Sequence, residues 1–331
     1  MMLGPVRGGK RATVSPFAAV LDQGEFRSEL GRLCVSEWHW GAPQAVRIQP
    51  LKWHRERCTC EITVKTETGC HGVIGKVYDV DRAGVFRTME AIWRAGFGPE
   101  AEFSIPQPFA YLPSVRVLLE EKVQGPSAKE TLLSGIPHER RAAAERCGQW
   151  LARFHTAAPR LGNAVDIRRE FSRFRQWTDQ VTSFGQPFSD KGARLFRELE
   201  AAAPAPGTVE YCAGHGSYIP EHVFLSGPRT TVIDLDEYDV ADPGRDVAWF
   251  VVSLQRLALV HLGSFHALDG PAQHFQESYL SAGNGGVPPH YPFYRALECL
   301  HRARRDLWKR VPPVREWAEI MLDEGLRALF I

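Results

Sequence analysis

The sequence predicts an α+β protein built as two unequal lobes. Three observations carry that reading. Alternating apolar residues run from about 45 to 78, the second half is patterned for helices, and a Gly125-Pro126 pair separates the two textures. The length of 331 residues agrees, since about 150 residues per domain gives roughly two domains or one two-lobed fold.

In chain order, residues 1–16 are Gly, Pro and basic residues and read as a flexible tail. A short helix follows through Phe26, Leu30 and Leu33. Three strand-like runs come next, the last being Gly72-Val-Ile-Gly-Lys76-Val-Tyr, with turns at 52–57 and 66–72. This is an antiparallel meander. Arg82–Ala95 places Val85, Met89, Ile92 and Trp93 on one helical side and stops at Gly96. A Pro-rich connector from Pro106 leads into the apolar strand Val115–Leu119 and on to Glu120-Glu-Lys-Val-Gln-Gly125.

Past Gly125 the period changes. Ala143, Cys147, Trp150, Leu151 and Phe154 give one buried face to a helix over 138–157, and 167–200 adds Arg-rich amphipathic helix. Pro204-Ala-Pro-Gly is a break, and short strands at 223–225 and 230–234 flank a Ser-Gly-Pro turn. Asp242-Pro243 offers an N-cap with Pro at the first helical position, opening an apolar helix through Leu259. Residues 270–331 are helical with Pro breaks.

Composition excludes several classes. With 44% hydrophobic and 24% charged residues, wholesale disorder is excluded. The longest apolar run, Val247–Leu262, is interrupted by Ser253, Gln255, Arg256 and His261, so no membrane span is expected. A net charge of +1 argues against bulk nucleic-acid binding. The start lacks an apolar leader, and the cysteines number seven, an odd count; both favour reduced thiols in a cytoplasmic protein. Cys58-x-Cys60 with Cys70-His71 has the composition of a zinc ligand set, but its period of two reads as strand residues.

Of the 40 basic residues, eight are Lys. One of them, Lys76, lies inside an apolar strand, and Glu90 follows in the next helix, where the two make a candidate ion pair around a phosphate. The second cluster is His215-Gly-Ser217-Tyr-Ile-Pro-Glu221-His222, then Val232-Ile-Asp234-Leu-Asp236, then Asp242-Pro-Gly-Arg-Asp246. An Asp directly after an apolar strand can present carboxylate oxygen to a hard cation.

Together these motifs resemble the aminoglycoside phosphotransferase and choline kinase-like family over about Val73 to Leu254. The resemblance implies a protein-kinase-like fold. Residues 17–124 would then form a nucleotide-binding β lobe, and 125–331 a helical lobe with the catalytic loop and acceptor site. It implies ATP or GTP with Mg²⁺ as cofactors, and as acceptor a hydroxyl of a small molecule or of a peptide Ser or Thr. On that pattern Lys76 and Glu90 grip phosphates, the main chain at Glu121–Val123 meets adenine, and Asp234 holds the metal. Leu151-Ala-Arg-Phe-His155 matches the helix end that precedes the catalytic loop.

The departures are specific. The family's catalytic Asp is Ser217, and its metal-binding Asn is His222, a nitrogen ligand poorly matched to Mg²⁺. The glycine-rich phosphate loop is absent. The turn Lys52-Trp-His-Arg55-Glu-Arg57 offers side-chain cations instead, or is a solvated hairpin tip. Glu221, Asp236 or His215 is left to replace the base, while His215 also suits a bracing role. Two functions follow: a phosphotransferase with Ser217 at the acceptor, or a pseudokinase that binds nucleotide as a sensing or scaffolding subunit. Trp38-His-Trp40 and the Arg-rich helices at 138–146, 168–175 and 302–310 either bind a protein partner or anionic substrate or are solvated faces.

Overall fold

A computed structural model describes residues 24–205, 207–283 and 288–330; the tail read at 1–16 lies outside them. The chain divides into two compact units. Of the described residues, the first comprises 24–87 together with Gln107–Lys122, and the second Thr88–Pro106 together with those from Val123 onward.

The first unit opens with helix α1 (Gly24–Arg32), which runs into a π turn at Leu33–Glu37 and buries Phe26 and Leu30. Strands β1 (Ala45–Trp53), β2 (Arg57–Thr66) and β3 (Gly69–Tyr78) form the expected meander. Two more strands, β5 (Pro108–Leu112) and β6 (Val117–Glu121), complete a five-stranded antiparallel sheet in the order β1-β2-β3-β6-β5. Sequence pattern alone assigns β5 to the connector, because Pro108 cannot donate to a ladder; the sheet accommodates it by putting β5 at the edge.

Alternation sorts the two faces of this sheet. Cys58, Cys60, Ile62 and Val64 of β2 meet Val73, Val77, Val117 and Leu119 in one core. Cys60 is buried with its thiol donating to Gly75 O, and burial pushes the thiol up to about 12. Both residues of the Cys-x-Cys pair are therefore core side chains. Trp40 stacks on His71 with ring centroids 4.2 Å apart, and Trp38 packs on Phe109 at 5.3 Å. Those tryptophans cover the core edge.

Helix α2 (Ala83–Arg94) carries the boundary between the units. The segment after it, which the sequence pattern assigns to the first lobe, packs in the second unit for a visible reason. Phe97 is fully buried against Trp150 and Phe154, and strand β4 (Phe103–Ser104) pairs in parallel with strand β9 (Arg229–Val232).

The second unit continues with helices α3 (Ala128–Ser134), α4 (Pro137–Ala157), α5 (Phe171–Thr182) and α6 (Phe188–Ala202). Then come strands β7 (Cys212–Gly214), β8 (Val223–Ser226), β9 and β10 (Asp239–Ala241). Helices α7 (Pro243–Leu262), α8 (Asp269–Ala282), α9 (Tyr291–Arg304) and α10 (Arg315–Ala328) close the chain. Ala143, Cys147, Trp150, Leu151 and Phe154 are buried on α4 as their spacing requires. Asp242 caps α7 by accepting from Gly244 N at 2.8 Å. The Arg-rich helices are largely self-paired: Arg141 with Glu145, Arg175 with Glu200, Arg302 with Glu298. Arg146 donates to the carbonyls of Gly227 and Arg229.

Candidate active site

In the first unit the site residue is Lys76. Register pairs Lys76 with Leu118 and Ile74 with Glu120, so period two puts Lys76 and Glu120 on one sheet face. Lys76 Nζ lies 3.2 Å from Glu120 Oε1, and both side chains are almost fully buried. Glu90, the partner expected from sequence, pairs in the second unit with Arg94 one turn along α2 at 2.7 Å. Within its own unit Lys76 is thus paired with Glu120, a carboxylate delivered by the neighbouring strand. Glu121 N donates to Gln107 O at 2.9 Å and its carboxylate accepts from Gln107 N at 3.0 Å. Arg55 stands exposed in the turn between β1 and β2. Val123, just past β6, belongs to the second unit.

The second unit holds the loop from His215 to His222, between β7 and β8. It is fastened at both sides of Ser217. Asp246, in the first turn of α7, is almost fully buried and accepts from His215 N at 2.6 Å and Gly216 N at 3.1 Å. On the other side, Tyr218 is fully buried, stacks on Trp150 with centroids 5.6 Å apart, and donates its hydroxyl to Cys147 O at 2.8 Å. Gly216 has φ +80, and a Cβ there would sit 2.0 Å from Glu237 O. Only glycine meets both demands. Gly214 is needed for a different reason: a Cβ would reach Arg245 Nη2 at 2.6 Å and Asp239 Oδ1 at 2.7 Å. The bare backbone leaves room for that bidentate ion pair.

Hydrogen-bond partners fix the imidazoles. His155 Nε2 faces Asp246 Oδ2 at 3.4 Å and must donate, so Nδ1 accepts from the Tyr279 hydroxyl at 2.9 Å. His215 Nε2 donates to Ile233 O at 3.1 Å, which turns its Nδ1 lone pair toward Ser217 N at 3.4 Å and Ser217 Oγ at 3.5 Å. Ser217 Oγ also lies 3.4 Å from Asp234 O. His222 Nδ1 donates to Ser217 O at 2.9 Å, and its Nε2 lies 3.5 Å from Asp234 Oδ2. Asp234 itself has φ 69 and ψ 58, a left-handed conformation that Asp tolerates better than most residues. Asp236 follows in the 3-10 turn Leu235–Glu237, and Glu221 pairs with Lys129 at 3.6 Å.

The structure therefore gathers Ser217, His215, His222 and Asp234 into one hydrogen-bonded group. Sequence reasoning misses His155 as the third donor to Asp246, and Tyr218 as the loop's anchor. Position alone hints at the latter, since a large aromatic inside a short loop needs a core to enter. Also invisible in the sequence is a cavity of 220 Å³ in this unit, lined by residues of α5, α7 and α9 and by Gly216.

Acid should loosen this unit. Burial holds His215 and His301 below the usual histidine range, and lowers His222 to about 4. For Asp246, burial alone would raise the carboxyl. The hydrogen bond from His155 and the Arg245 charge outweigh it and hold the group below the carboxylate range. In all four cases the folded form binds protons more weakly than the unfolded chain. Stability is therefore present above the unfolded pKa and lost as pH falls below it, for His222 between 6.5 and about 4. Every tenfold difference in proton affinity between the folded and unfolded chain is worth about 1.4 kcal/mol. The melting temperature should fall clearly between pH 7 and pH 5; an unchanged value would contradict the assigned protonation states.

The fold is that of the small-molecule kinases. A choline/ethanolamine kinase family protein from Mesorhizobium loti superposes with a TM-score of 0.58 at 14% identity, covering 93% of this chain and 94% of that one. The choline kinase from Cryptosporidium parvum Iowa II gives 0.58 at 13%, covering 92% and 95%. A spectinomycin phosphotransferase in complex with ADP and spectinomycin gives 0.56 at 14%, covering 92% and 97%. No curated protein matches the chain. The model of the phosphotransferase enzyme family matches residues 79–297, more than half of the chain, so this protein belongs to that family.

Proposed function

We propose that the chain is an ATP-dependent phosphotransferase moving the γ-phosphoryl group to a hydroxyl of a small molecule. The observation that carries this reading is the loop geometry. Ser217 is held between His215 and Asp234, and the adjoining Gly216 lines a small cavity that suits a small acceptor better than a peptide.

In this reading Lys76, steadied by Glu120, meets the nucleotide phosphates. Because the Glu121 amide is already bonded to Gln107, the adenine contact passes to the Val123 main chain. GTP would meet the same phosphate contact. The metal test gives a divided answer. Asp234 supplies the single carboxylate oxygen that a nucleotide-borne Mg²⁺ commonly takes. His222 supplies a nitrogen, which suits Zn²⁺ or Fe²⁺ better. Among the described residues no group of three or more His, Cys, Asp or Glu is placed to hold an ion. Asp234 fits a magnesium ion; His222 does not. When bound, the ion would neutralise phosphate charge; the chain's own part is to orient the acceptor hydroxyl beside Ser217. Arg55, Asp236 and Glu221 take no assigned role.

One observation favours a second reading, a pseudokinase. Ser217 stands where the family's catalytic Asp belongs, so nucleotide binding can persist without turnover. The test is a thermal shift with ATP or GTP, with and without Mg²⁺, then ADP release with candidate acceptors. At a ligand concentration 100 times Kd, binding adds about 2.7 kcal/mol of stability. That shift should vanish in Lys76→Ala and Asp234→Ala. Binding without ADP release selects the pseudokinase; no shift with either nucleotide overturns both readings.

A further inference from the structure

The cavity beside Gly216 has walls that select its occupant, and we infer that it takes an uncharged alcohol carrying an apolar ring. This inference rests on the phosphotransferase reading for the word acceptor, but not for the binding itself. Phe174, Trp177, Trp249 and Tyr294 supply the walls, with Leu297 between them. Such surfaces favour a ring by area and by edge or offset contacts.

Charge then narrows the class. Four carboxylates line the cavity, but three are already matched. Asp239 is held by Arg245 through bonds of 2.6 and 2.5 Å. Glu298 accepts from Arg302 at 2.5 Å and from His301 at 3.0 Å. Glu170 meets Arg173 at 3.4 Å. Glu237 is exposed to solvent, where a single charge is strongly screened. An acceptor with several ammonium groups would therefore find one exposed carboxylate without a basic partner, Glu237, rather than a set that matches it.

The Trp177 wall is closed to a further cation. The Trp177 ring is stacked by His301 at 4.9 Å, and the guanidinium groups of Arg173 and Arg304 lie 4.9 and 5.7 Å from its centre. The cation-binding capacity of that ring is already taken by the protein's own arginines.

The test uses the full chain and ligand-observed saturation-transfer NMR with 2-phenylethanol, kanamycin and choline as probes, without nucleotide. We expect saturable transfer to 2-phenylethanol, and an affinity lowered about tenfold in Trp249→Ala and in Tyr294→Ala, a loss of about 1.4 kcal/mol. Trp249 is only partly buried, so its variant should fold even if Tyr294→Ala does not. Tighter binding of kanamycin or choline than of 2-phenylethanol overturns the inference, as does phenylethanol binding indifferent to both substitutions. A parallel thermal shift with ATP and with GTP separates the two failures. A nucleotide shift without alcohol binding overturns the acceptor class alone. Alcohol binding without a nucleotide shift keeps the pocket and overturns the phosphotransferase reading.

Discussion

Asp246→Ala is expected to lower stability by about 3–5 kcal/mol, the range for removing one partner from a buried charged network. The carboxylate is almost fully buried and receives three donors, His215 N, Gly216 N and His155 Nε2. Arg245 Nε adds a positive charge beside it at 3.7 Å. Truncation leaves two main-chain N–H groups and an imidazole N–H without acceptors in a dry interior, each costing about 1–3 kcal/mol. Asp246→Asn should lose less, since one amide oxygen can still accept from His215 or Gly216 while the amide nitrogen faces the other donors. A denaturant midpoint within about 1 kcal/mol of the parent for the Ala variant would show that the loop does not depend on this carboxylate.

The contrast between Asp246 and Lys76 shows what the sequence makes legible. Asp242 and Asp246 are readable because capping and helix initiation act over two or three residues. Asp242 does cap α7, and Asp246 falls in its first turn. The apolar face of α4 is equally local, written at intervals of three and four. The Lys76 partner is not local. Glu90 is nearer in sequence, yet strand pairing brings Glu120 to the same sheet face, and which strand lies beside β3 is decided by the whole sheet. Likewise β5 is hidden by Pro108, because proline is excluded from a central strand but not from the edge position that β5 occupies.

The site divides the same way. His215, Ser217, His222 and Asp234 are identifiable as a group because the loop and the β8–β9 hairpin are consecutive. From sequence His155 is a residue at a helix end; its link to Asp246 spans 91 positions and needs α4 and α7 to pack first. The cavity is invisible for a related reason. Its walls come from three helices, strand β10 and several connecting segments that no single stretch of sequence joins. Trp177, Trp249 and Tyr294 each read only as an apolar position on its own helix.

Ser217→Asp is expected to raise the turnover number by about 10²–10⁴, the usual worth of a positioned general base, if the phosphotransferase reading holds. The geometry supports an effect of this kind. Ser217 Oγ is 3.5 Å from His215 Nδ1 and 3.4 Å from Asp234 O, so the side chain already stands inside the hydrogen-bonded group. A serine hydroxyl there can orient an acceptor but is a poor sink for its proton. Phosphoryl transfer depends mainly on positioning and charge neutralisation, so the parent protein need not be silent without a base. An aspartate would join the group that holds the Asp234 carboxylate through His222, and two carboxylates in one site push one of the pair upward in pKa. The variant's rate should therefore rise with pH through the carboxylate range and then level, a profile that the parent should lack. Ser217→Ala should change turnover little if serine merely fills the position, and should lower it if the hydroxyl orients the acceptor. Should Ser217→Asp bind nucleotide as the parent does and yet release no ADP with any acceptor, the missing base is not what limits the site. The nitrogen of His222 beside Asp234 would then be the remaining departure to reverse, by His222→Asn in the same background.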